Sequence, residues 1–417
     1  MPIKRIAVLS VHTSPFARMG GAKIGGMNIY IQEFAREMAS HSVEIDIFTR
    51  RYADDLPDVE YHYDGMVRLV HVNAGPAQAL DPLEIYPYVQ QFTAGVVKFA
   101  TQYQSRYDVT FSHYWLSGLV ARSLREMWGV PFVQMFHTLG HMKNRIAKQA
   151  PALPDIRVIK ETEIVHEADR ILASTPAEQT QLIWLYRADR KKIDIVPPGV
   201  DTSRFFPKRK IAPSQLSSQL DDRDLLLYVG RIEHLKALDT VFEALHLIRQ
   251  RDPAVFAELQ FGIVGGDPKS THNPEMIRLQ RLVDELALEN SVHVRGAKDH
   301  SVLPDYYAAA TAVMMTSEYE SFGMAALEAM AVGTPVIASE VGGLAFLVQD
   351  GNTGFLVPVR DAEVLADRII ELVSDIQLQK RFRHNAAALA RSYDWAEIVD
   401  RAANVLESAR GRVVAAV

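Results

Sequence analysis

Residues 6–47 read IAVLSVHTSPFARMGGAKIGGMNIYIQEFAREMASHSVEIDI, and this stretch decides the fold. Ile6-Ala7-Val8-Leu9 is an apolar run of strand length. Met27, Tyr30, Ile31, Phe34, Ala35 and Met38 then recur at helical spacing, and Glu44-Ile45-Asp46-Ile47 resumes the strand pattern. Strand, helix, strand predicts two parallel strands joined by a crossover helix.

The same alternation runs outward to the end of the chain. Further strands are expected near Arg68–Val70, Val109–Phe111, Phe132–Met135, Ile171–Ala173 and Ile193–Val196, where Pro197-Pro198-Gly199 enforces a stop. After the polar stretch KRKIAPSQLSSQLDDRD the pattern restarts at Leu225–Val229, followed by a helix with Leu238, Val241, Phe242 and Leu245 on one face. Strands near Phe261–Val264, Val292–Val294, Ala312–Met315 and Pro335–Ile337 complete this half. The expected fold class is α/β: two Rossmann-like domains, each on a parallel sheet, facing one another across a cleft, with the boundary near residue 200. A chain of 417 residues exceeds what one core usually serves, which agrees with two domains.

Composition removes several functions. With 48% hydrophobic and 23% charged residues the chain is ordinary for a globular protein. It contains no cysteine, so disulfides, thiolate nucleophiles and cysteine-based zinc sites are excluded, and a reducing, cytoplasmic compartment is expected. A net charge of -6 disfavours nucleic acid as a partner, and no apolar run reaches the roughly 20 residues of a transmembrane helix. The first residues, MPIKRIAVLSV, read as a strand rather than a signal peptide.

Three segments could carry chemistry. Gly20-Gly21 and Gly25-Gly26 lie between a strand and a helix, where backbone amides can approach a diphosphate, although any tight turn also asks for glycine. Their spacing is not that of the dinucleotide fingerprint. Arg231 and Lys236 follow a strand by a short step and suit a diphosphate leaving group; as isolated surface cations they would be unremarkable. Glu320 and Glu328 stand eight positions apart around a helix start, and eight helical residues rise about 12 Å, close to the span from the sugar to the ribose of a nucleotide sugar. Amides near Phe322 and Gly323 would add donors there.

In chain order, the early glycine loop, GGMNIYI, FHT, PPGVD, VGRIEHLK, VGG, ESFGMAALEAM, GTPVIAS, a second VGG and the GNTGF segment together resemble the retaining family-4 glycosyltransferases of GT-B fold, over essentially the whole chain. The resemblance implies domains of 1–200 for the acceptor and 201–391 for the nucleotide sugar, with 392–417 a helix returning to the first domain and Trp395 its packing anchor. It implies that Arg231 and Lys236 hold the donor diphosphate, that Glu328 binds ribose, and that Glu320 with the amides of Phe322 and Gly323 addresses the sugar. Gly25-Gly26 would close on the donor from the other domain, Gly265 belongs to its binding loop, His137 lies near the donor sugar, and backbone at Arg295 faces the nucleobase. His137, Arg231, Lys236 and Glu320 form the implied catalytic set. Retention by front-side attack needs neither a protein nucleophile nor a metal.

Within that family GGMNIYI, FHTLGHMKN and ESFG are most similar to the inositol-phosphate N-acetylglucosaminyltransferases, with sucrose-phosphate synthases a further comparison. This implies Asn28, Tyr114, Thr138 and Arg157 as acceptor contacts, Arg157 being suited to a phosphate. The expected partners are a nucleotide sugar, with UDP as its nucleotide, and a small polyol or sugar-phosphate acceptor, with homodimerisation left open. Two departures stand out. Gly75 to Glu84 holds no lysine where the inositol-phosphate enzymes carry one, and Ala237 stands where glycine is more common after the lysine, a change read as harmless because alanine favours helix. The alternatives are a nucleotide-sugar epimerase and a noncatalytic nucleotide-sugar sensor.

Overall fold

The computed structural model describes residues 3–16, 25–146, 155–217, 220–267 and 273–414. Gly20 and Gly21, part of the expected glycine loop, lie outside these. The apolar runs become strands buried on both faces, as parallel sheets between helices require; Ile6 to Leu9 are wholly inaccessible.

Two compact units result. The first takes the described residues up to 16, Gly26–Pro197, and Trp395 onward; the second takes Gly25 and Pro198–Asp394. The division falls at Pro198 and Trp395, and Gly25 groups with the second unit while Gly26 opens a helix of the first.

Among the described residues the first unit carries β1 (Arg5–Leu9), β2 (Glu44–Arg50), β3 (Val59–His62), β4 (Val67–Val72), β5 (Val109–His113), β6 (Phe132–Met135), β7 (Arg170–Ala173) and β8 (Ile193–Ile195), in the order β3-β4-β2-β1-β5-β6-β7-β8. The pairings are parallel except at one edge, where β3 runs antiparallel to β4 with Val59 opposite Val70. The sheet is thus mostly parallel, as expected, with one antiparallel edge strand. The single turn Tyr63–Gly65 between them is too short for a crossover, so only a hairpin can form.

The second unit carries β9 (Asp224–Val229), β10 (Leu259–Val264), β11 (Val292–Val294), β12 (Ala312–Met315), β13 (Val336–Ser339) and β14 (Gly354–Val357), in the order β11-β10-β9-β12-β13-β14. All its pairings are parallel. One apolar core packs Leu225, Leu227, Tyr307 and Leu327 on one face, and another packs Leu226, Tyr228, Phe242 and Ile263 on the other.

Strand order reverses between β1 and β5 in the first sheet and between β9 and β12 in the second. At such a reversal the loops leaving the carboxyl ends of the strands part and open a crevice.

The helix Gly26–Ser40 buries Tyr30, Ile31, Phe34, Ala35 and Met38, the face that the spacing predicts. Against it packs the final helix, Trp395–Val414, whose indole is 2% exposed and meets the Tyr30 ring edge-on at 5.4 Å. Burying an indole removes roughly 200 Å² of surface, on the order of 5 kcal/mol before entropy is deducted. Just before it, the second unit closes on itself: Val200 N–H donates to Tyr393 O at 2.8 Å, so its entry and exit lie side by side. No helix among the described residues is long and apolar enough to cross a membrane.

Candidate functional site

In the second unit the candidate residues gather where the strand order reverses. Lys236 ends a short turn after β9, Glu320 follows β12, and Lys236 Nζ meets Glu320 Oε2 at 2.6 Å, bridging the two loops. Thr316 Oγ1 donates toward the carbonyls of Lys236 and Ala237, at 3.0 and 3.1 Å, and holds the lysine turn against β12. Arg231, half exposed, pairs through Nη1 with Glu233 Oε1 at 2.7 Å. Gly25 would place a Cβ 4.0 Å from Arg231 Nε.

Glycine is required where these loops touch. Gly265 has φ +152°, and a Cβ there would lie 1.8 Å from Gly230 O. Its own N–H donates to Gly296 O at 3.0 Å, and Arg295 N–H to Ile263 O at 2.8 Å, which ties the ends of β10 and β11 together. The Arg295 guanidinium hydrogen-bonds Ser217 Oγ. Gly343 donates from its N–H to Glu320 O at 2.9 Å, and a Cβ on it would fall 2.1 Å from Phe322 Cα. The second VGG segment is thus the bed on which Glu320 to Phe322 rests.

The helix after Glu320 covers only Met324–Val332, with Gly323 left-handed at its start and Phe322 buried. The rise of eight helical residues between the glutamates is therefore corrected, since Glu320 to Gly323 form a bend. Glu328 is buried on this helix, its Oε1 on His300 Nε2 at 2.7 Å and its Oε2 accepting from Tyr307 Oη at 2.9 Å. A carboxylate offers about four acceptor positions, so two remain for a ligand.

Ala237 is also corrected. Its φ and ψ are 46° and 45°, at the left-handed N-cap of helix Leu238–Arg251, so helix propensity is not the relevant property. A non-glycine residue in this conformation costs about 1–2 kcal/mol.

In the first unit the candidates again lie at the reversal. Asn28, at the start of the helix after β1, donates from Nδ2 to Thr13 Oγ1 at 3.0 Å and Ser14 O at 2.7 Å. Tyr114 opens the helix after β5, with φ +73°, and His137 follows β6, with φ +60°. Thr138 N–H donates to Phe136 O at 2.7 Å, closing a three-residue turn centred on His137. Positive φ at two bulky residues is strain of about 1–3 kcal/mol each, of the kind that persists where function holds it.

Arg157 is buried under Tyr114, its guanidinium 4.8 Å from the ring centre. Its Nε donates to Glu161 Oε1 at 2.6 Å and its Nη2 to Thr138 O and Oγ1, at 2.6 and 3.1 Å. Burial works to lower its pKa, but the Glu161 charge carries it upward. Glu161 in turn accepts from Gly140 N–H at 2.9 Å and from Tyr186 Oη. Arg157 Nη1 makes no hydrogen bond among the described residues, so one edge of the fork is left for a ligand. The lysine-free segment Gly75–Glu84 is held by Arg50, which donates to Pro76 O at 2.7 Å and to the carbonyls of Arg51 and Gln78.

His113, at the end of β5, was not anticipated. It is wholly buried, its Nδ1 lies 2.9 Å from His137 Nε2, and its own Nε2 is buried without a partner among the described residues. Burial holds His113 well below the usual histidine range and pushes His137 down to about 3, so both are neutral at pH 7. One proton is shared between the facing nitrogens. An orphaned acceptor is better tolerated than an orphaned N–H, so His113 donates from Nδ1 and its bare Nε2 is the unpaired atom. His137 must then carry its own proton on Nδ1. It can offer a ligand a donor, and its Nε2 is not available as a general base. Glu161, by its i,i+4 spacing from Arg157, was findable in the sequence; Tyr307, His300 and His113 were not.

The glycosyl transferases group 1 family matches residues 214–389, and the glycosyl transferase 4-like domain matches residues 25–199. The D-inositol 3-phosphate glycosyltransferase of Actinosynnema mirum is 40% identical over 412 residues, 98% of this chain and 97% of that one. Its namesake from Thermomonospora curvata is 38% identical over 421 residues, 99% and 97% of the two chains. Among solved structures, sucrose-phosphate synthase from Thermosynechococcus elongatus superposes with a TM-score of 0.88 at 30% identity, over 99% of this chain and 100% of that one. Anabaena HepE in complex with UDP gives 0.74 at 20% identity, over 97% and 100%.

Proposed function

This chain belongs to the family-4 glycosyltransferases of GT-B fold, enzymes whose co-substrate is a nucleotide sugar, and on that premise we propose that it moves a sugar from UDP to a hydroxyl of a cyclitol phosphate or sugar phosphate with retention at the anomeric carbon. The observation that carries the acceptor reading is the half-used fork of Arg157, whose Nη1 is left for a phosphate oxygen beside Thr138 and Tyr114. Names of similar proteins, D-inositol 3-phosphate glycosyltransferase and sucrose-phosphate synthase, share a phosphorylated small molecule. Asn28 would orient the acceptor ring.

On the donor side, Arg231 and Lys236 neutralise the diphosphate, Glu328 accepts from ribose hydroxyls, and Glu320 with the amides of Phe322 and Gly323 holds the sugar. Gly25-Gly26 and Gly265 let backbone approach the phosphates, and the backbone of Arg295 meets the base. In the transfer, the acceptor oxygen bonds to the anomeric carbon on the face from which the phosphate departs. The carbon–oxygen bond to the diphosphate breaks, and the acceptor proton passes to the leaving phosphate oxygen. The residues accelerate this by positioning and by stabilising the departing charge. His137, neutral and protonated on Nδ1, donates to the sugar rather than removing a proton. A cytoplasmic location belongs to the same proposal, since a chain without cysteine suits a reducing compartment.

The test is mass spectrometry of purified protein with UDP-, GDP- and ADP-sugars, each alone and with inositol 3-phosphate, fructose 6-phosphate and their unphosphorylated parents. The expected result is a glycosylated phosphate ester and free UDP. Equal turnover of the unphosphorylated parents would remove the phosphate contact, and donor conversion without acceptor would replace transfer by epimerisation or hydrolysis.

A further inference from the structure

A cavity of about 320 Å³ lies in the second unit, lined by Lys208, Gly333, Arg383, His384 and Arg391 together with small apolar residues. It shares no residue with the donor set and has no carboxylate in its lining. Its size is at the small end of the roughly 300–1,000 Å³ of small-molecule sites. Arg383 and His384 stand on the helix Ile376–Ala390, Arg391 directly follows it, and Gly333 ends the helix that carries Glu328.

Among the described residues nothing balances most of the charge in this cavity. Lys208 Nζ pairs with Asp305 Oδ1 at 2.8 Å, but the side chains of Arg383, His384 and Arg391 make no hydrogen bond or ion pair among the described residues. Arg383 is half-buried, and desolvation lowers its pKa with nothing opposing it. Other deeply placed guanidiniums do have acceptors, Arg50 three carbonyls and Arg157 a carboxylate and Thr138. A guanidinium withdrawn from water without an acceptor is unfavourable, and buried charges are otherwise paired.

Capping of the Met324–Val332 helix does not account for the cluster. Gly333 N–H donates to Met330 O at 2.9 Å and Thr334 N–H to Ala329 O at 2.8 Å, and among the described residues no side chain of the cluster donates to a carbonyl of that helix end.

We propose that this cavity binds a small phosphate-bearing anion, with Arg383 and Arg391 as its forks and His384 as a further donor. Both arginines present planar donors that match phosphate oxygens, and a tetrahedral oxyanion can meet several of them at once.

The experiment is calorimetric titration of the full chain with inorganic phosphate and with glycerol phosphate, in chloride buffer of matched ionic strength. It is repeated with Lys236→Ala, which impairs the donor diphosphate site, and with Arg383→Gln, Arg391→Gln and His384→Asn. A saturable event that survives Lys236→Ala and weakens on the order of 10-fold in each arginine variant, the loss of one charge-assisted contact, is expected. Arg391 and His384 are exposed, so their variants carry the test if Arg383→Gln fails to fold. Tighter binding of glycerol phosphate would mark a phosphomonoester as the ligand, and tighter binding of inorganic phosphate the free ion. Unaltered isotherms in Arg391→Gln and His384→Asn, or loss of the event in Lys236→Ala alone, would overturn the proposal.

Discussion

Replacing His113 by asparagine separates the two things this buried imidazole does. Asparagine keeps an N–H donor close to the place of Nδ1, facing His137, and removes a titrating group. In the wild-type chain an unfolded histidine begins to bind a proton near pH 6.5, while folded His137 stays neutral down to about 3 and His113 is likewise held far below its ordinary value. Between those limits the unfolded state binds more protons, so stability is full above about pH 6.5 and falls as the pH is lowered. At pH 5 a histidine that stays neutral in the folded chain costs RT ln(1 + 10^1.5), about 2 kcal/mol. His113→Asn should therefore lose about 2 kcal/mol less than wild type between pH 7 and pH 5. At pH 7 it should sit within about 1 kcal/mol of wild type, because one hydrogen bond is replaced by another. Urea unfolding at pH 7, 6 and 5 measures the difference, to which the remaining histidines contribute equally in both proteins. Parallel stability curves would refute the reasoning, since His113 would then already be protonated or hydrated in the folded state. Imidazole nitrogen NMR supplies a second check, with the His137 proton expected on Nδ1 in both proteins.

Lys236→Ala removes one arm of the ion pair with Glu320 and should lower kcat on the order of 100-fold while leaving the protein folded, which steady-state kinetics and circular dichroism together would show. Arg157→Ala should destabilise the chain by about 3–5 kcal/mol, because Glu161 is left as an unpaired buried charge; this is read by thermal unfolding. Arg157→Lys, which keeps the charge but not the fork, should fold and raise KM for a phosphorylated acceptor with little change in donor KM. Ala237→Gly relieves a left-handed alanine and should gain about 0.5–1 kcal/mol in urea unfolding, after the extra entropy of the unfolded glycine is deducted.

Most strands were legible because a parallel strand covered on both faces must be a short run of apolar residues, as in Ile6–Leu9 and Ala312–Met315. β3 was not, since Val-Glu-Tyr-His at an edge is only half-buried and its alternation carries little apolar signal. β14 begins with Gly354, whose missing side chain lets it pass Val336 O, where a Cβ would come within 2.0 Å; a glycine start reads as a turn. The late start of the helix at Met324 was hidden because Ala325 to Met330 are good helix formers and nothing before them except Gly323 interrupts the pattern. In the site, residues that carry charge on a loop were visible. Those that hold them in place were not, because His113 meets His137 across two strands and Tyr307 meets Glu328 across two helices. Such pairings depend on tertiary register, which no local window contains.

The last helix has a consequence for how the chain is made. Tyr30 is synthesised early and its partner Trp395 near the end, so a growing chain exposes the uncovered face of the Gly26–Ser40 helix while the whole second unit is being produced. The first unit to emerge from the ribosome is thus the last to be completed. A chaperone that shields this face, or a second unit that folds quickly on its own, shortens the interval in which two unfinished copies could exchange their final helices.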